Sequence, residues 1–452
     1  MKGRTILVIG GSSAGPAAAA KAKRVNPAAE VTLFEASETV SYGICEAPYA
    51  ISGLIADEAR LVSYTPERLR EEKQIAVKTG HYAEKIVPAK KCVIVKDLKG
   101  GTTAEHAYTH LIVATGSSPR HLGLAGEKAR NVFHISSRED TLGIIRYCSE
   151  TSPSRAVIIG GGYIGMEMCE ALVNKGLDVT LLHRHSLPMA GLEQETRETV
   201  FAELEAHGVH FVTNVSVESL HEDRGSVRHV ATNRGSFEAD IVILSLGVAP
   251  NVRLARGAKI TLGATGAIHT DERQQTSIDG IYAAGDCCEV RNVITGKAMY
   301  LPLATHASRG AWVAGENAAG GRDVFKGAIR AMAVKVFDRE FAQVGLSSAE
   351  ARAAGFSVVT DTITAYAKVG IMPGSGKTTI VSIFDKNSTK LLGANVFGGE
   401  GSVLRANTLG VAIQHGLTAD EISRLDLIYA PPFAPLWDPI LVAANQAKKK
   451  VK

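Results

Sequence analysis

One pattern occurs twice in this chain and restricts what it can fold into. The apolar run Ile6-Leu7-Val8-Ile9 leads straight into Gly10-Gly11-Ser12-Ser13-Ala14-Gly15. An alanine-rich helical stretch follows, then a second apolar run, Val31 to Phe34, that ends in Glu35. About 150 residues later Val157-Ile158-Ile159 leads into Gly160-Gly161-Gly162-Tyr163-Ile164-Gly165, another helical stretch, and the run Val179 to Leu182. Strand, glycine turn, helix and strand together set a helix N-terminus and bare backbone against a pyrophosphate. The first glycine makes the tight turn, the second admits the phosphates, and the third lets helix and strand pack closely. One copy is weak evidence. Two copies, each between strands, predict two dinucleotide-binding folds.

The two copies differ in charge. Glu35 supplies the carboxylate that binds a ribose 2′-hydroxyl, which suits FAD. Ser12 replaces the middle glycine but is small enough to admit a phosphate. Gly10, Ser12, Ser13, Gly15 and Glu35 are therefore the expected FAD contacts. After Leu182 come His183 and Arg184, with no acid. A guanidinium attracts a 2′-phosphate bidentately where a carboxylate would repel it. NADPH is expected over NADH, bound by Gly160, Gly162, Tyr163, Ile164, Gly165, His183 and Arg184; the alternative for the last two is a solvated strand end.

Three further segments complete an α/β plan. Thr109 to Gly116 predicts a strand ending in a glycine turn, with Thr115 and Gly116 at the flavin nucleotide. Ile281 to Asp286 predicts another, whose Asp286 could accept hydrogen bonds from a sugar-alcohol chain. Leu244 to Asn251 looks like a strand-to-loop exit, with Gly247 at the nicotinamide nucleotide. The expected organisation is a discontinuous FAD-binding domain (1–115 and 245–325), an NAD(P)H-binding domain inserted within it (116–244), and a third α/β domain (326–452). The third carries a strand over Ile380 to Phe384 and a helix near Val403 to His415.

Composition agrees. A chain of 452 residues is too long for one ordinary core. With 45% hydrophobic and 21% charged residues and a net charge of +4 it reads as globular. No basic patch with interleaved aromatics suggests nucleic acid, and the lysines at 448–450 and 452 read as a solvated tail. Met1 runs almost directly into Thr5 to Ile9 without a leader pattern, and no apolar stretch is long enough to span a bilayer. A cytoplasmic protein with no membrane partner is expected. Cys45, Cys92, Cys148, Cys169, Cys287 and Cys288 form no CxxC or zinc pattern, so no metal site is expected and most should be buried thiols. Gly374-Ser375-Gly376-Lys377-Thr378 imitates a P-loop, but Ile371 stands where its first glycine belongs.

The segments GGSSAG at Gly10, SYGICEAPY at Ser41, ATGSSP at Ala114, GGGYIGME at Gly160 and AGDCCEV at Ala284 recur in order, with LPLATHASRG at Leu301, MAVKVFD at Met332 and YAPPFAPLWDP at Tyr429. Over essentially its whole length the chain resembles the two-dinucleotide-binding flavoprotein disulfide reductases, within them most closely the coenzyme A-disulfide reductase and NADH oxidase branch. The resemblance implies that Ser41 and Cys45, spaced Ser-x3-Cys, lie beside the flavin, and that Cys45 cycles between thiolate and a mixed disulfide with coenzyme A. A helix opening at Cys45 would stabilise the thiolate. The resemblance further implies that Asp286 contacts the ribityl chain and that the N-terminus of the helix in Leu301 to Gly315 (Pro302, Leu303, Ala304) faces the flavin pyrimidine. It also implies a homodimer in which Tyr429 reaches the partner's active site, and coenzyme A phosphates bound by Lys21 and Arg24; interface packing and a solvated helix face are the respective alternatives.

Some positions depart from the branch. Ile44 stands where asparagine is common, and Glu46 where a small or apolar residue is usual. A second active-site tyrosine is missing at Ile371-Met372, and Ser13 replaces the histidine of peroxidases. The expected activity is reduction of coenzyme A disulfide, or a related disulfide or persulfide, through Cys45. An oxidase working through a Cys45 sulfenic acid, or a redox-sensing flavoprotein, is the alternative.

Overall fold

The computed structural model describes residues 3–451. Its first sheet is parallel and five-stranded, in the order Ile281–Ala283, His110–Val113, Thr5–Ile9, Glu30–Phe34, Ala76–Lys78. The central strand is a continuous apolar run because it is covered on both faces: Ile6, Leu7, Val8 and Ile9 are all buried. Helix Ala14–Val25 crosses from it to Glu30–Phe34 and packs against helix Ala304–Ala318. Both helices are rich in alanine, which permits close approach.

The second sheet repeats the plan in the order His210–Val212, Asp178–Leu182, Arg155–Ile159, Ile241–Leu244, Val132–Phe133, again all parallel. Helix Tyr163–Asn174 is its first crossover. A two-stranded antiparallel ribbon, Ser117–Pro119 with Val248–Pro250, lies where the chain passes from one sheet to the other and back. The exit read over Leu244 to Asn251 is thus the end of a core strand followed by one strand of this ribbon.

The C-terminal region folds into an antiparallel sheet, Ala331–Val336, Arg339–Gly345, Leu391–Gly398, Lys377–Asp385, Val358–Tyr366. Helices Arg405–Gln414 and Pro439–Lys450 pack on it. The strand expected over Ile380 to Phe384 extends to both sides. The P-loop imitation is a loop that runs into a strand at Lys377, with no helix N-terminus to cradle a phosphate.

Candidate active site and nucleotide cradles

Both glycine turns have the geometry that their sequences demand. Gly10 and Gly160 have φ of 107° and 114°, a region that penalises side chains. A Cβ at Gly10 would collide with the Ala114 carbonyl, and one at Gly160 with the Ser245 carbonyl. The bare backbone thus lets the neighbouring strand end close over each turn. Gly15 and Gly165 press in turn against the carbonyls of Gly10 and Gly160. Ser12 and Ser13 are exposed, and Ser13 caps helix Ala14–Val25 without a side-chain hydrogen bond. The first-turn amides of that helix thus lack a side-chain cap, as an anion-binding N-terminus should.

Glu35 and His183 occupy equivalent places at the ends of the second strands. Glu35 accepts from the Gly11 amide (2.6 Å) through one carboxylate oxygen and from the Ser37 amide (2.8 Å) through the other. His183 accepts from the Gly161 amide through Nδ1 (3.1 Å). That bond places the ring proton on Nε2, which is buried without a partner. Burial, then the adjacent His185, push the imidazole down to about 4. His183 is therefore neutral at physiological pH and is neither a cation for a 2′-phosphate nor a solvated strand end. Arg184 is exposed beside it and donates from Nε to His185 (3.1 Å).

The segment after the first sheet's second strand carries the redox candidate. Ser41 has φ of 53°, strained for a non-glycine residue, and is held there by its amide donating to the Gly11 carbonyl (2.8 Å) and its carbonyl accepting from Ser63 (3.0 Å). Ile44–Glu46 form one 3₁₀ turn, and helix Ala47–Ser52 follows. Cys45 is the one exposed cysteine of six; the other five are buried. It lies inside the 3₁₀ turn and not at a helix start. Crowding by its surroundings, then the carboxylates of Glu46, Glu167 and Asp286, raise its thiol. The expectation of a thiolate stabilised by a helix N-terminus is therefore corrected, because desolvation first and the nearby carboxylates second favour the neutral thiol. Glu46 is exposed, and its carboxylate folds back over Gly43, where a Cβ would strike it.

Two groups stand out that the sequence reading passed over. Glu167 lies on helix Tyr163–Asn174, which packs on helix Ala47–Ser52. Burial, then Glu170, raise its carboxyl to about 7, so it titrates in the neutral range and acts electrostatically on both Cys45 and Tyr49. Its signal in the sequence was a pair of acids, Glu167 and Glu170, in a mostly apolar helix. The other is Tyr300, whose hydroxyl is buried without a partner. Burial and Asp286 raise it. Asp286 is itself raised by burial, against the Ser117 hydroxyl that donates to it (3.2 Å). Thr115 is tied to Asn251, donating to its carbonyl (2.8 Å) and accepting from its side chain (2.9 Å).

The remaining expected residues are dispersed. Tyr163 begins its helix, with its hydroxyl raised by burial. Pro302 and Leu303 precede helix Ala304–Ala318, whose first residue is Ala304 and whose N-cap makes no side-chain bond. Gly116 and Gly247 flank the inter-sheet ribbon, with φ of 64° and 78°. Lys21 is paired with Glu316 (2.7 Å), while Lys21 and the exposed Arg24 both lie over Trp312. Arg24 also lines a surface pocket of about 230 Å³ with Lys23 and Lys73. Tyr429 is exposed on the C-terminal unit, far along the chain from Cys45.

Two glycine-turn cradles of unlike charge and a lone surface cysteine beside the first define a dinucleotide-dependent redox protein of the two-fold flavoprotein class. The chain belongs to the pyridine nucleotide-disulphide oxidoreductase family: the family's model matches residues 4–311, and that of its dimerisation domain matches 331–439. It is 34% identical over 446 residues to an NAD(P)H coenzyme A polysulfide/persulfide reductase of Pyrococcus horikoshii, covering 98% of each chain. Among solved structures it resembles reduced Bacillus anthracis CoADR-RHD (31% identity, TM-score 0.97, covering all of this chain and 81% of that one). It also resembles a water-forming NADH oxidase from Lactobacillus brevis (28% identity, TM-score 0.94, 99% of each chain). The protein is thus an oxidoreductase, and its family uses FAD and NAD(P)H. Among the described residues no helix is long and apolar enough to cross a membrane.

Proposed function

We propose that this protein is an FAD-dependent, NADPH-using reductase of coenzyme A disulfide, or of a related disulfide or persulfide, working through Cys45. The observation that carries the reading is the contrast among the cysteines: five are buried, and Cys45 alone is exposed, four residues beyond the strained Ser41 that the first glycine motif holds. No second cysteine is placed to form an internal disulfide with it, so its disulfide partner must come from the substrate.

The cradle around Gly10, Ser12, Ser13, Gly15, Glu35, Thr115, Gly116, Asp286 and the 302–304 helix start suits FAD. The cradle around Gly160, Gly162, Tyr163, Ile164, Gly165, Arg184 and Gly247 suits NADPH. When bound, these groups supply the electron pair. The Cys45 thiolate attacks one sulfur of the substrate disulfide; a mixed disulfide forms, and the other thiolate leaves. Reduction of that mixed disulfide releases the second thiol and restores Cys45. Glu167, poised near 7, can hold or release a proton during the cycle. The basic face of Lys23, Arg24 and Lys73 suits the phosphates of coenzyme A, with Lys21 largely committed to Glu316. The exposed apolar side chains Ile428, Phe433, Leu436 and Trp437 around Tyr429 support a homodimer in which Tyr429 faces the partner's active site. A cytoplasmic location fits this chemistry.

Cys45→Ser tests the mechanism. NADPH should still bleach the flavin, while turnover with coenzyme A disulfide or persulfide should vanish. Disulfide reduction that survives the substitution defeats the reading. Equal NADPH consumption in air by the wild type with and without disulfide would assign the protein to the oxidases instead. Mass spectrometry before and after reductant should show loss of one coenzyme A from Cys45 if the mixed disulfide is the resting state.

A further inference from the structure

Three metal-binding side chains meet on the crossing between the two sheets, although nothing in their spacing marks them. His121 lies just beyond the ribbon strand Ser117–Pro119, Glu127 in the loop that follows, and His134 just past the strand Val132–Phe133. His121 Nδ1 lies 3.1 Å from Glu127 Oε1, and His134 Nε2 lies 3.9 Å from the same oxygen. The three ligand atoms all fall within 4.8 Å of one another, and the imidazoles meet edge to face at 4.9 Å. Ligands bonded to a tetrahedral zinc ion at its usual N and O distances sit roughly 3.3 Å apart. The observed spacings bracket that value.

The site is also held in place. Glu127 is fixed from behind by two amides, Leu122 donating to Oε1 (3.0 Å) and Gly123 to Oε2 (3.0 Å). Oε2 keeps a lone pair, and Oε1 regains one if an ion replaces the His121 contact (3.1 Å). At 3.9 Å the Glu127–His134 pair is too long for a hydrogen bond and close enough to share an ion. The His134 ring is mostly buried, and its Nε2 faces Glu127 while its Nδ1 lies buried on the far side. His121 is largely exposed, which leaves an entry path and room for a water as fourth ligand.

We propose that His121, Glu127 and His134 bind a divalent ion of the zinc class, with water completing the tetrahedron. Two imidazoles and one carboxylate are borderline donors that suit zinc over calcium or magnesium. Because Val132–Phe133 runs parallel to Ile241–Leu244, His134 stands at the carboxyl end of the second sheet, the end that also carries the Gly160 turn. The ion therefore staples the exposed start of the crossing to the nucleotide-binding edge of that sheet.

The experiment uses the full-length flavin-loaded protein, stripped of metal, in a Cys45→Ser background that removes the exposed thiol as a rival ligand. Zn²⁺ is titrated calorimetrically, and Co²⁺ by its visible bands beyond the flavin absorption. One equivalent per chain is expected, with a Zn²⁺-induced rise in melting temperature. His121→Ala, on an exposed side chain, should leave the metal-free melting temperature unchanged and weaken Zn²⁺ more than about tenfold, since even loss of an outer-shell partner costs that much. His134→Gln should do the same. No binding, or affinity unchanged in both variants, overturns the proposal. So does loss of binding on His207→Ala, which would move the ion to the cluster of Glu203, His207 and Asp338.

Discussion

The first and second glycine turns are nearly superposable in design and opposite in charge. Thr5–Ile9 and Arg155–Ile159 show the same burial, with only their first residue partly exposed. Gly10 and Gly160 leave the same room for a neighbouring carbonyl, and in each copy the next glycine's amide donates to the side chain that ends the second strand. In the first that side chain is a carboxylate, in the second a neutral imidazole with an exposed arginine next to it. The backbone repeats because any dinucleotide pyrophosphate needs the same approach. The side chains diverge at the end of the second strand, where this fold meets the adenosine ribose.

The sharpest way to break the comparison is to fill each turn. Gly10→Ala should yield colourless protein without flavin and without activity, read by the absorbance of the purified chain. Gly160→Ala should keep its flavin but lose NADPH-driven reduction by at least about a hundredfold, the cost of small misplacements at a reacting site. If both variants lose flavin equally, the two cradles do not serve separate nucleotides.

Next in size is the charge difference itself. Arg184→Ala should raise KM for NADPH about 10- to 100-fold, the worth of a hydrogen bond to a charged group, and leave NADH nearly unaffected. A preference for NADH already present in the wild type would remove the NADPH assignment while leaving the two cradles intact.

A smaller effect concerns the carboxylates gathered near the first turn. Glu46→Gln removes one of the charges that raise Cys45. The thiol should titrate at lower pH, and its alkylation rate at neutral pH should rise a few-fold, since the thiolate is the reacting form. An unchanged pH profile would mean that Glu46 is not among the charges that set the thiol.

The smallest effect tests the second turn through acid stability. His183 is held down to about 4 against an ordinary 6.5, so between those values the unfolded chain binds a proton that the folded one does not. Its contribution is complete above 6.5 and is lost as pH falls toward 4. His110 and His306, also near 4, add the same trend to the first fold. His183→Gln should flatten the decline in melting temperature over that window, and an unaltered slope would show that His183 is not a main source of it.

The paired folds were legible because their cause is local. Glycines at fixed offsets, flanked by runs buried on both faces, leave few alternatives, and Glu35 declared itself as an acid at a strand end. His183 was misjudged because a strand end near the surface looks solvated in sequence, whereas the ring turns under Gly161. The spacing from Ser41 drew attention to Cys45, which the structure leaves exposed, but its electrostatics were not legible, since Glu167 and Asp286 reach it from segments more than a hundred residues away. Tyr300 was passed over for the same reason: its orphaned hydroxyl is recognisable only once Ser117 and Asp286 surround it.

By itself the sequence determined where the backbone must turn without a side chain, and therefore that the chain carries two dinucleotide-binding folds. Those are steric demands within ten residues, and they leave the same mark wherever they occur. Tertiary structure decided which charges meet. It set Glu46, Glu167 and Asp286 around one thiol, made His183 a neutral acceptor, and brought His121, Glu127 and His134 within reach of one ion. Electrostatic interaction depends on distance through space and on burial, and neither is written in the order of the residues.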